Sequence, residues 1–222
     1  MSGLFITFEG GEGSGKTTQL RLLARRLRAF PEEVIETRDP GGTTIGKEIR
    51  RLLLSRESAP MSEAAELLLY EASRAQLVRE VIGPALARGA VVLSDRFTDS
   101  TLAYQGYGRG LDLDLILRLN QLATAGLRPD LTVLLDVDPR VGLDRCAGAA
   151  SAQAIARDRI EQEPLAFHQR TREGYLALAR QEPGRIRVID AALGLTEIET
   201  AVWNEFVRLR QSRFTDQLSV HG

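Results

Sequence analysis

The sequence predicts an α/β fold in which a five-stranded parallel sheet is flanked on both faces by helices. Short apolar or β-branched segments alternate with longer segments of helical period, a pattern typical of βαβ units. The chain has 222 residues, enough for one such domain with a large core, and no internal repeat or linker divides it. We therefore expect a single domain over residues 1–210 and a polar, frayed tail over 211–222.

Five short segments are predicted to be strands because β-branched and other apolar residues are concentrated in them. The expected strands are Leu4–Phe8, Val34–Thr37, Ala90–Ser94, Leu131–Asp136 and Ile186–Ile189. In an open parallel sheet, ligands bind at the carboxyl ends of the strands. The residues that follow the strands are therefore the first candidates for chemistry.

Apolar residues at helical spacing predict helices between these strands. One stripe consists of Leu20, Leu23, Ala24 and Leu27, and a second consists of Ile45, Ile49, Leu52 and Leu53. A longer helical segment runs from about Ser62 to Arg88 and is expected to bend near Gly83-Pro84, because proline lacks the N–H that a helix interior needs. The alanine-rich segment Cys146–Ala156 has few large apolar residues, so we expect a mobile or surface segment.

Composition narrows the class of protein. Basic residues number 29 and acidic residues 30, a balance that argues against a dedicated nucleic-acid-binding protein. The one cysteine, Cys146, excludes a disulfide within the chain and favours a reducing compartment. We find no signal peptide near the N-terminus and no segment of transmembrane length, so we expect a cytoplasmic protein without a membrane partner.

A glycine-rich segment after the first predicted strand carries the strongest motif. Residues 10–17, Gly-Gly-Glu-Gly-Ser-Gly-Lys-Thr, fit G-x-x-x-x-G-K-[ST] and open a predicted helix. Glycines allow successive backbone N–H groups to face phosphate oxygens, and the helix N-terminus adds positive potential. The structural alternative is a glycine-rich turn with an incidental lysine. We predict that ATP binds Gly10, Gly11, Glu12, Gly13, Ser14, Gly15, Lys16, Thr17 and Thr18.

A magnesium site is predicted beside this loop. Lys16 can bridge the β- and γ-phosphates of ATP, and the Thr17 hydroxyl can bind Mg²⁺. The third predicted strand is apolar and is followed by Asp95, which can hold the same ion directly or through water. The alternative for Asp95 is a residue that caps a turn, and for Asp136, at the end of the fourth strand, we favour that structural role.

An acceptor site is suggested by aromatic and basic residues elsewhere. Tyr70 and Arg74 are four residues apart on a predicted helix, where a ring can stack on a base and a guanidinium can donate to it. A half-buried tyrosine beside a solvated arginine explains the same spacing. Arg38 and Arg96 follow predicted strands, where converging guanidinium groups suit a phosphate. The polar loop after Arg96 can present side chains to a base or sugar, including Ser100, Thr101, Tyr104 and Gln105.

Several motifs together resemble the thymidylate kinase family. They are Phe8-Glu9-Gly10, residues 37–43 (Thr-Arg-Asp-Pro-Gly-Gly-Thr), Asp95-Arg96-Phe97, residues 103–106 (Ala-Tyr-Gln-Gly) and residues 158–161 (Asp-Arg-Ile-Glu). The resemblance spans about residues 3–190. It implies the three-layer P-loop kinase fold, and transfer of the γ-phosphoryl group of ATP to dTMP, which gives dTDP and ADP for dTTP biosynthesis. It also implies a homodimer.

The resemblance further implies roles for individual residues. Lys16 and Thr17 are matched to ATP and Mg²⁺ with support from Asp95, and Glu12 to a position near the sugar and phosphate of the acceptor. Arg38 and Arg96 are matched to residues that hold the dTMP phosphate, Arg74 and Thr101 to the pair that reads thymine, and Tyr104 to the residue that crowds the sugar 2′ position. Tyr70 stands where the family usually has a stacking phenylalanine, and Asp39 replaces the commoner glutamate.

The bacterial type within that family is implied by Gly13, since the eukaryotic type has a basic residue there. The resemblance to the bacterial type implies a small lid at about residues 146–160. An arginine of that lid supplies the missing charge, here Arg157 or Arg159. Residues two apart on a helix face nearly opposite ways, so one of them at most is expected at the phosphates, and we favour Arg157. The predicted catalytic residues are therefore Glu12, Lys16, Arg96, Arg157 and Arg159.

Three alternatives remain open from the sequence. Another P-loop nucleotide kinase could act on a different acceptor, a P-loop regulatory ATPase could use nucleotide to change partners, and a degenerate protein could bind nucleotide without catalysis. The intact P-loop, Asp95 and Arg96 argue against the last of these. Cys146, His168 and His221 have no motif around them and are interpreted as structural or incidental.

Overall fold

A parallel sheet forms the centre of the computed structural model, which describes residues 3–58, 60–153 and 158–219. Its strands are β1 (Leu4–Glu9), β2 (Val34–Arg38), β3 (Val91–Asp95), β4 (Leu131–Asp136) and β5 (Ile186–Asp190). All neighbours pair in parallel, in the order β2-β3-β1-β4-β5. The predicted five-stranded parallel sheet is therefore confirmed, and every strand lies within one residue of its predicted ends.

Helices connect the strands and cover both faces of the sheet. They are α1 (Lys16–Leu27), α2 (Thr44–Leu54), α3 (Glu63–Leu77), α4 (Gly83–Ala87), α5 (Thr98–Thr101), α6 (Leu113–Thr124), α7 (Pro139–Gln153), α8 (Leu165–Gln181) and α9 (Leu195–Ser219). A 3₁₀ turn spans Arg56–Ser58, and π-helical segments span Val78–Ile82 and Leu102–Gly108. In the part of the chain that the structure describes, no helix combines the length and apolar character of a membrane span.

The core is divided into layers by the alternation of side chains along the strands. Val133 and Leu135 of β4 belong to a cluster with residues of α1 and α9, whereas Leu134 between them packs with residues of α6 and α8. Successive residues of a strand point to opposite faces, so one apolar strand supplies both layers. This three-layer arrangement directs the carboxyl ends of β1 and β3 towards the same edge of the sheet.

The two predicted apolar stripes have different outcomes. All of the α1 stripe is buried, with Leu20, Leu23, Ala24 and Leu27 no more than 3% exposed. In α2, Ile49 and Leu53 are buried, but Ile45 is 53% exposed and Leu52 is 42% exposed. The helix predicted from this stripe is confirmed, but α2 packs mainly against α3 and buries only a narrow part of it.

Two expectations about the helices can be compared with the structure. The long helical segment is interrupted near Gly83, where the π-helical segment separates α3 from α4. The tail expected to fray from residue 211 is helical through Ser219, where Arg213 donates to the Gly3 carbonyl at 3.1 Å and pairs with Asp130. The alanine-rich segment is helical as far as Gln153, and its remainder lies outside the described residues, so the lid boundaries stay a prediction.

Candidate active site

The loop between β1 and α1 is shaped by glycines in the left-handed region of backbone space. The φ angles of Gly10, Gly13 and Gly15 are +137°, +64° and +89°. L-residues with a Cβ rarely adopt such angles, so glycine is needed at these turns. Gly15 immediately precedes α1, and the loop therefore delivers the free N–H groups of the helix N-terminus to its concave side.

Helix α7 packs directly on this loop. A Cβ at Gly13 would lie 2.0 Å from the Gly142 carbonyl oxygen, and a Cβ at Gly142 would lie 2.2 Å from the Glu12 carbonyl oxygen. The two backbones approach so closely that neither position has room for a side chain. A basic residue cannot stand at position 13 unless α7 moves.

The ammonium group of Lys16 lies inside the loop. Its Nζ donates to the carbonyl oxygens of Gly10 and Gly11 at 3.1 and 2.6 Å and to the Ser14 hydroxyl at 3.2 Å. Burial, with help from the nearby Arg96 guanidinium, lowers the pKa of Lys16 to about 8. A buried cation among carbonyl dipoles at a helix N-terminus is suited to bind phosphate.

A hydroxyl and a carboxylate meet where α1 begins and β3 ends. The Thr17 hydroxyl donates to Asp95 Oδ2 at 2.5 Å. Oxygen ligands of this kind suit Mg²⁺, which keeps several ligands from water and phosphate rather than from a protein cage. Among the described residues, no group of three or more His, Cys, Asp or Glu side chains could hold a metal ion.

Arg96 follows β3 directly and connects the loop to the rest of the site. Its φ of +72° is left-handed, a strained conformation for a residue with a side chain. Its guanidinium donates to the Gly10 carbonyl at 3.0 Å, to Glu12 Oε1 at 2.7 Å and to the Tyr104 hydroxyl at 2.9 Å. It also lies over the Tyr104 ring, 4.8 Å from the centroid.

Glu12 is held ionised by its surroundings. Burial by itself would raise its pKa, but Arg96, Lys16 and a hydrogen bond from Tyr104 together lower the pKa of Glu12 to about 2. The Tyr104 hydroxyl donates to Glu12 Oε1 at 2.7 Å. Glu12 is therefore an anion, and a hydrogen-bond acceptor, throughout the neutral pH range.

Two cavities adjoin at Arg96. The first, called here the base cavity, is lined by Tyr70, Arg74, Thr101, Tyr104 and Gln105, among others. The second, called here the phosphate cavity, is lined by residues 12–18, Arg38, Asp95, Arg145 and Cys146, among others. Glu12, Asp39, Arg50 and Arg96 line both cavities. A ligand in one cavity would therefore meet a ligand in the other at a pair of arginines.

Arg74 is buried in a network of its own. Its side chain is 1% exposed, and its guanidinium donates to Asp39 at 2.6 Å, Glu71 at 2.9 Å, Asn120 at 2.6 Å and the Phe97 carbonyl at 3.2 Å. The alternative of a solvated arginine is therefore wrong. Four of its five N–H groups bind described residues, and the fifth, on Nη2, remains for another partner.

The loop after Arg96 brings its polar side chains to the same region. The Thr101 hydroxyl is buried and has no hydrogen-bond partner among the described residues. The amide of Gln105 is committed to Glu66, 2.7 Å away. The Ser100 hydroxyl donates to Glu9 at 2.6 Å and accepts from Arg96 at 3.2 Å. Thr101 thus has its hydroxyl available in the base cavity, whereas Ser100 and Gln105 are engaged within the protein.

Of the two candidate lid arginines, Arg159 is not at the phosphates. It pairs with Glu66 at 2.5 Å and donates to the Leu53 carbonyl at 2.9 Å, with its side chain 8% exposed. The prediction of a catalytic Arg159 is corrected because this segment is a turn, closed by reciprocal bonds between Asp158 and Glu161, that directs Arg159 inward. Arg157 lies outside the described residues.

Three site residues were missed by the sequence analysis. Arg50 lines both cavities and donates to the Pro40 carbonyl at 3.2 Å, but in the sequence it is one of several basic residues on α2. Tyr175 on α8 accepts from Arg96 at 3.0 Å and has no motif around it. Glu9 was part of the Phe8-Glu9-Gly10 motif, which could have suggested a role for it.

Comparison with known proteins places the chain in a family. A family model described as Thymidylate kinase matches residues 8–202. The chain belongs to the thymidylate kinase family. It is 55% identical to a thymidylate kinase of Solidesulfovibrio magneticus over 202 residues, 90% of this chain and 97% of that protein. It is 53% identical to one of Gloeobacter violaceus over 214 residues, 95% of this chain and 99% of that protein.

A solved structure agrees with this family. The crystal structure of thymidylate kinase from Ehrlichia chaffeensis superposes with a TM-score of 0.74 at 35% sequence identity. The match covers 93% of this chain and 99% of that one. The relatives are therefore matched over nearly their whole length, and the P-loop kinase fold expected from the sequence is confirmed.

Proposed function

We propose that the phosphate cavity binds ATP, that the base cavity binds dTMP, and that the γ-phosphoryl group is transferred between them to give dTDP and ADP. The observation that carries this proposal is the pair of arginines, Arg50 and Arg96, that lines both cavities. Two polyanions repel each other, so a kinase with a phosphate acceptor needs cations where the two ligands meet. Membership of the thymidylate kinase family supports the same substrates.

On the donor side, the P-loop N–H groups and Lys16 bind the phosphates of ATP. Thr17 and Asp95 would hold Mg²⁺ against the phosphate oxygens, and their hydroxyl and carboxylate fit that ion. When bound, the ion neutralises charge that develops on the transferred group. Lys16 also neutralises this charge. Its pKa is lowered by burial, and a bound phosphate would raise it again because an anion favours the charged amine.

On the acceptor side, the base cavity suits a thymine nucleotide. Tyr70 offers a ring on which a base can stack. The fifth N–H of Arg74 and the Thr101 hydroxyl, which has no partner among the described residues, can meet polar atoms of thymine. Tyr104, held between Glu12 and Arg96, restricts the space beside the sugar and so favours deoxyribose.

The transfer itself needs positioning more than a base. The acceptor phosphate is mostly ionised at neutral pH, because its second pKa is about 6. Arg96 and Arg50 line both cavities and align it, Arg38 adds positive charge from the phosphate cavity, and Glu12 fixes Arg96 in place. Arg157 is our candidate for the lid arginine that closes on the transferred group, a contribution worth roughly 10³–10⁵ in rate in comparable reactions.

The direct test is ADP formation with ATP, Mg²⁺ and each nucleoside monophosphate in turn. We expect dTMP to be the best acceptor and dUMP to be poorer by a modest factor, since one methyl group in a pocket is worth about 1–3 kcal/mol. A preference for AMP or GMP would indicate a kinase with another acceptor. Slow hydrolysis of ATP that no acceptor accelerates would indicate a regulatory ATPase.

The two lysines of the chain provide a matched pair of variants. Lys16→Ala should abolish most turnover without loss of fold, because Lys16 is the cation of the P-loop. Lys47→Ala removes an exposed lysine on α2 and should leave turnover unchanged. Equal activity of both variants would remove the P-loop from the mechanism. The cytoplasmic location expected from the sequence stays a prediction.

A further inference from the structure

A carboxylate below the two cavities has no role in the mechanism described so far. Glu9, the last residue of β1, is fully buried. Its Oε1 accepts from the Phe97 N–H at 2.7 Å. Its Oε2 accepts from the hydroxyls of Ser100 and Tyr175 at 2.6 and 2.8 Å. Burying an ionised carboxylate costs free energy, so the position of Glu9 needs a functional explanation.

Each partner of Glu9 also contacts or adjoins Arg96. The hydroxyls of Ser100 and Tyr175 accept from Arg96 Nη1 at 3.2 and 3.0 Å. Phe97 is the residue directly after Arg96, whose backbone is in the strained left-handed region. Glu9 therefore holds both sides of Arg96: the strained backbone through one oxygen, and the guanidinium through two hydroxyls on the other.

We propose that Glu9 is a positioning residue that acts through Ser100, Tyr175 and the Phe97 N–H to fix the Arg96 guanidinium at the junction of the two cavities. A hydroxyl that donates its one hydrogen to a carboxylate keeps its lone pairs free to accept from a guanidinium. Arg96 then presents Nη2 towards Glu12 and Tyr104 in one orientation. The inference rests on the proposed role of Arg96 at the acceptor phosphate.

The charge state of Glu9 makes this arrangement sensitive to pH. Burial and the nearby Asp99 raise the pKa of Glu9 to about 7, although Arg96 and the hydroxyls of Ser100 and Tyr175 oppose the rise. The other charged groups that face it are Lys16, from α1, and Arg74, from α3. Glu9 is ionised above that pH and gains a proton below it. One hydroxyl must then accept that proton, and the hydrogen bonds behind Arg96 rearrange.

Glu9→Gln keeps the size of the side chain but replaces one acceptor oxygen with a donor. We expect kcat/KM for dTMP to fall by about tenfold or more at pH 8, because charged hydrogen bonds that orient Arg96 are lost. The KM for ATP should stay within about twofold, since Lys16 and the P-loop N–H groups are untouched. The thermal midpoint should not fall, because a buried charge is removed. A residue with only a structural role would lower that midpoint instead.

The pH dependence of kcat/KM for dTMP provides a second test. In the wild-type enzyme, kcat/KM for dTMP should fall as the pH drops through about 7, where Glu9 gains its proton. The variant should lack that ionisation and retain only the fall near the second pKa of dTMP, about 6. Identical profiles for the two proteins would contradict the proposal, as would wild-type kcat/KM in the variant at pH 8.

Two further variants and one crystal structure complete the test of the role of Glu9. Tyr175→Phe removes one hydroxyl and keeps the ring, so it should give a smaller loss of kcat/KM for dTMP even if Glu9→Gln does not fold. Glu36→Gln is the control: this glutamate lies on the exposed edge strand β2, and its loss should leave kcat/KM for dTMP unchanged. A crystal structure of Glu9→Gln should show the Arg96 guanidinium displaced from Glu12. Arg96 in its wild-type position in that structure would overturn the proposal. This measurement does not depend on dTDP formation, so it separates failure of this proposal from failure of the proposed function.

Discussion

At the scale of single residues, the site depends on arginines whose partners decide what each can do. Arg96 is shared among Gly10, Glu12 and Tyr104 and lines both cavities, so it can act on a ligand. Arg159 has the same charge but is bound to Glu66 and the Leu53 carbonyl, so it stabilises the fold. Residue type and position in a motif did not distinguish these two roles, because burial and partners come from other elements.

Arg157→Ala and Arg159→Ala should therefore fail in different ways. Removing Arg159 leaves Glu66 with Arg109 and Gln105, so we expect a loss of about 2 kcal/mol, less than the full cost of breaking a buried pair. Thermal unfolding should show a fall of roughly 4–8 °C. Arg157→Ala should keep the thermal midpoint and lose at least about tenfold in kcat. The reverse pattern would mean that Arg159 acts on the phosphates.

At the scale of elements, the P-loop is in direct contact with α7, the helix that leads into the predicted lid. Gly13 and Gly142 allow the two backbones to touch. The absence of a basic residue at position 13, noted from the sequence as a mark of the bacterial type, thus has a steric reason in the fold. A side chain there would separate α7 from the loop.

Gly142→Ala tests this contact, and Gly148→Ala in the same helix is its control. A Cβ at Gly142 would meet the Glu12 carbonyl oxygen at 2.2 Å, whereas one at Gly148 meets nothing within 4 Å. We expect Gly142→Ala to cost about 1–3 kcal/mol in the free energy of unfolding and to raise the KM for ATP. Gly148→Ala should be neutral or stabilise by up to about 1 kcal/mol, with unchanged kinetics. Matching results for both variants would show that α7 can shift without penalty.

At the scale of the whole molecule, neighbouring helices α3 and α6 carry exposed leucines. Leu68 on α3 is 57% exposed, and Leu115 and Leu122 on α6 are 41% and 79% exposed. The two helices contact each other, so their exposed residues lie in one region of the surface. The homodimer implied by the family resemblance stays a proposal, and this region is our candidate for its interface.

Leu68→Glu and Leu122→Glu should shift the protein towards a monomer, because two carboxylates facing their symmetry copies would be buried without partners. Leu195→Glu is the matched control, since Leu195 is 56% exposed on α9, which packs on the other face of the sheet. Light scattering after size-exclusion chromatography measures the mass. The interface would be wrong if the wild-type protein is a monomer. It would also be wrong if Leu68→Glu and Leu122→Glu both have the same mass as the wild-type protein.

The sequence alone determined the architecture and the P-loop, because both depend on local patterns. The short apolar segment of β4 and the apolar stripe of α1 are both local patterns, and Leu131–Asp136 was predicted to the residue. The tertiary structure decided which side chains act together. Glu9 and Tyr175 are 166 positions apart and Arg96 and Glu12 are 84 apart, yet each pair is joined by a hydrogen bond. Such pairings depend on how the crossovers fold back onto the sheet, which no local periodicity encodes.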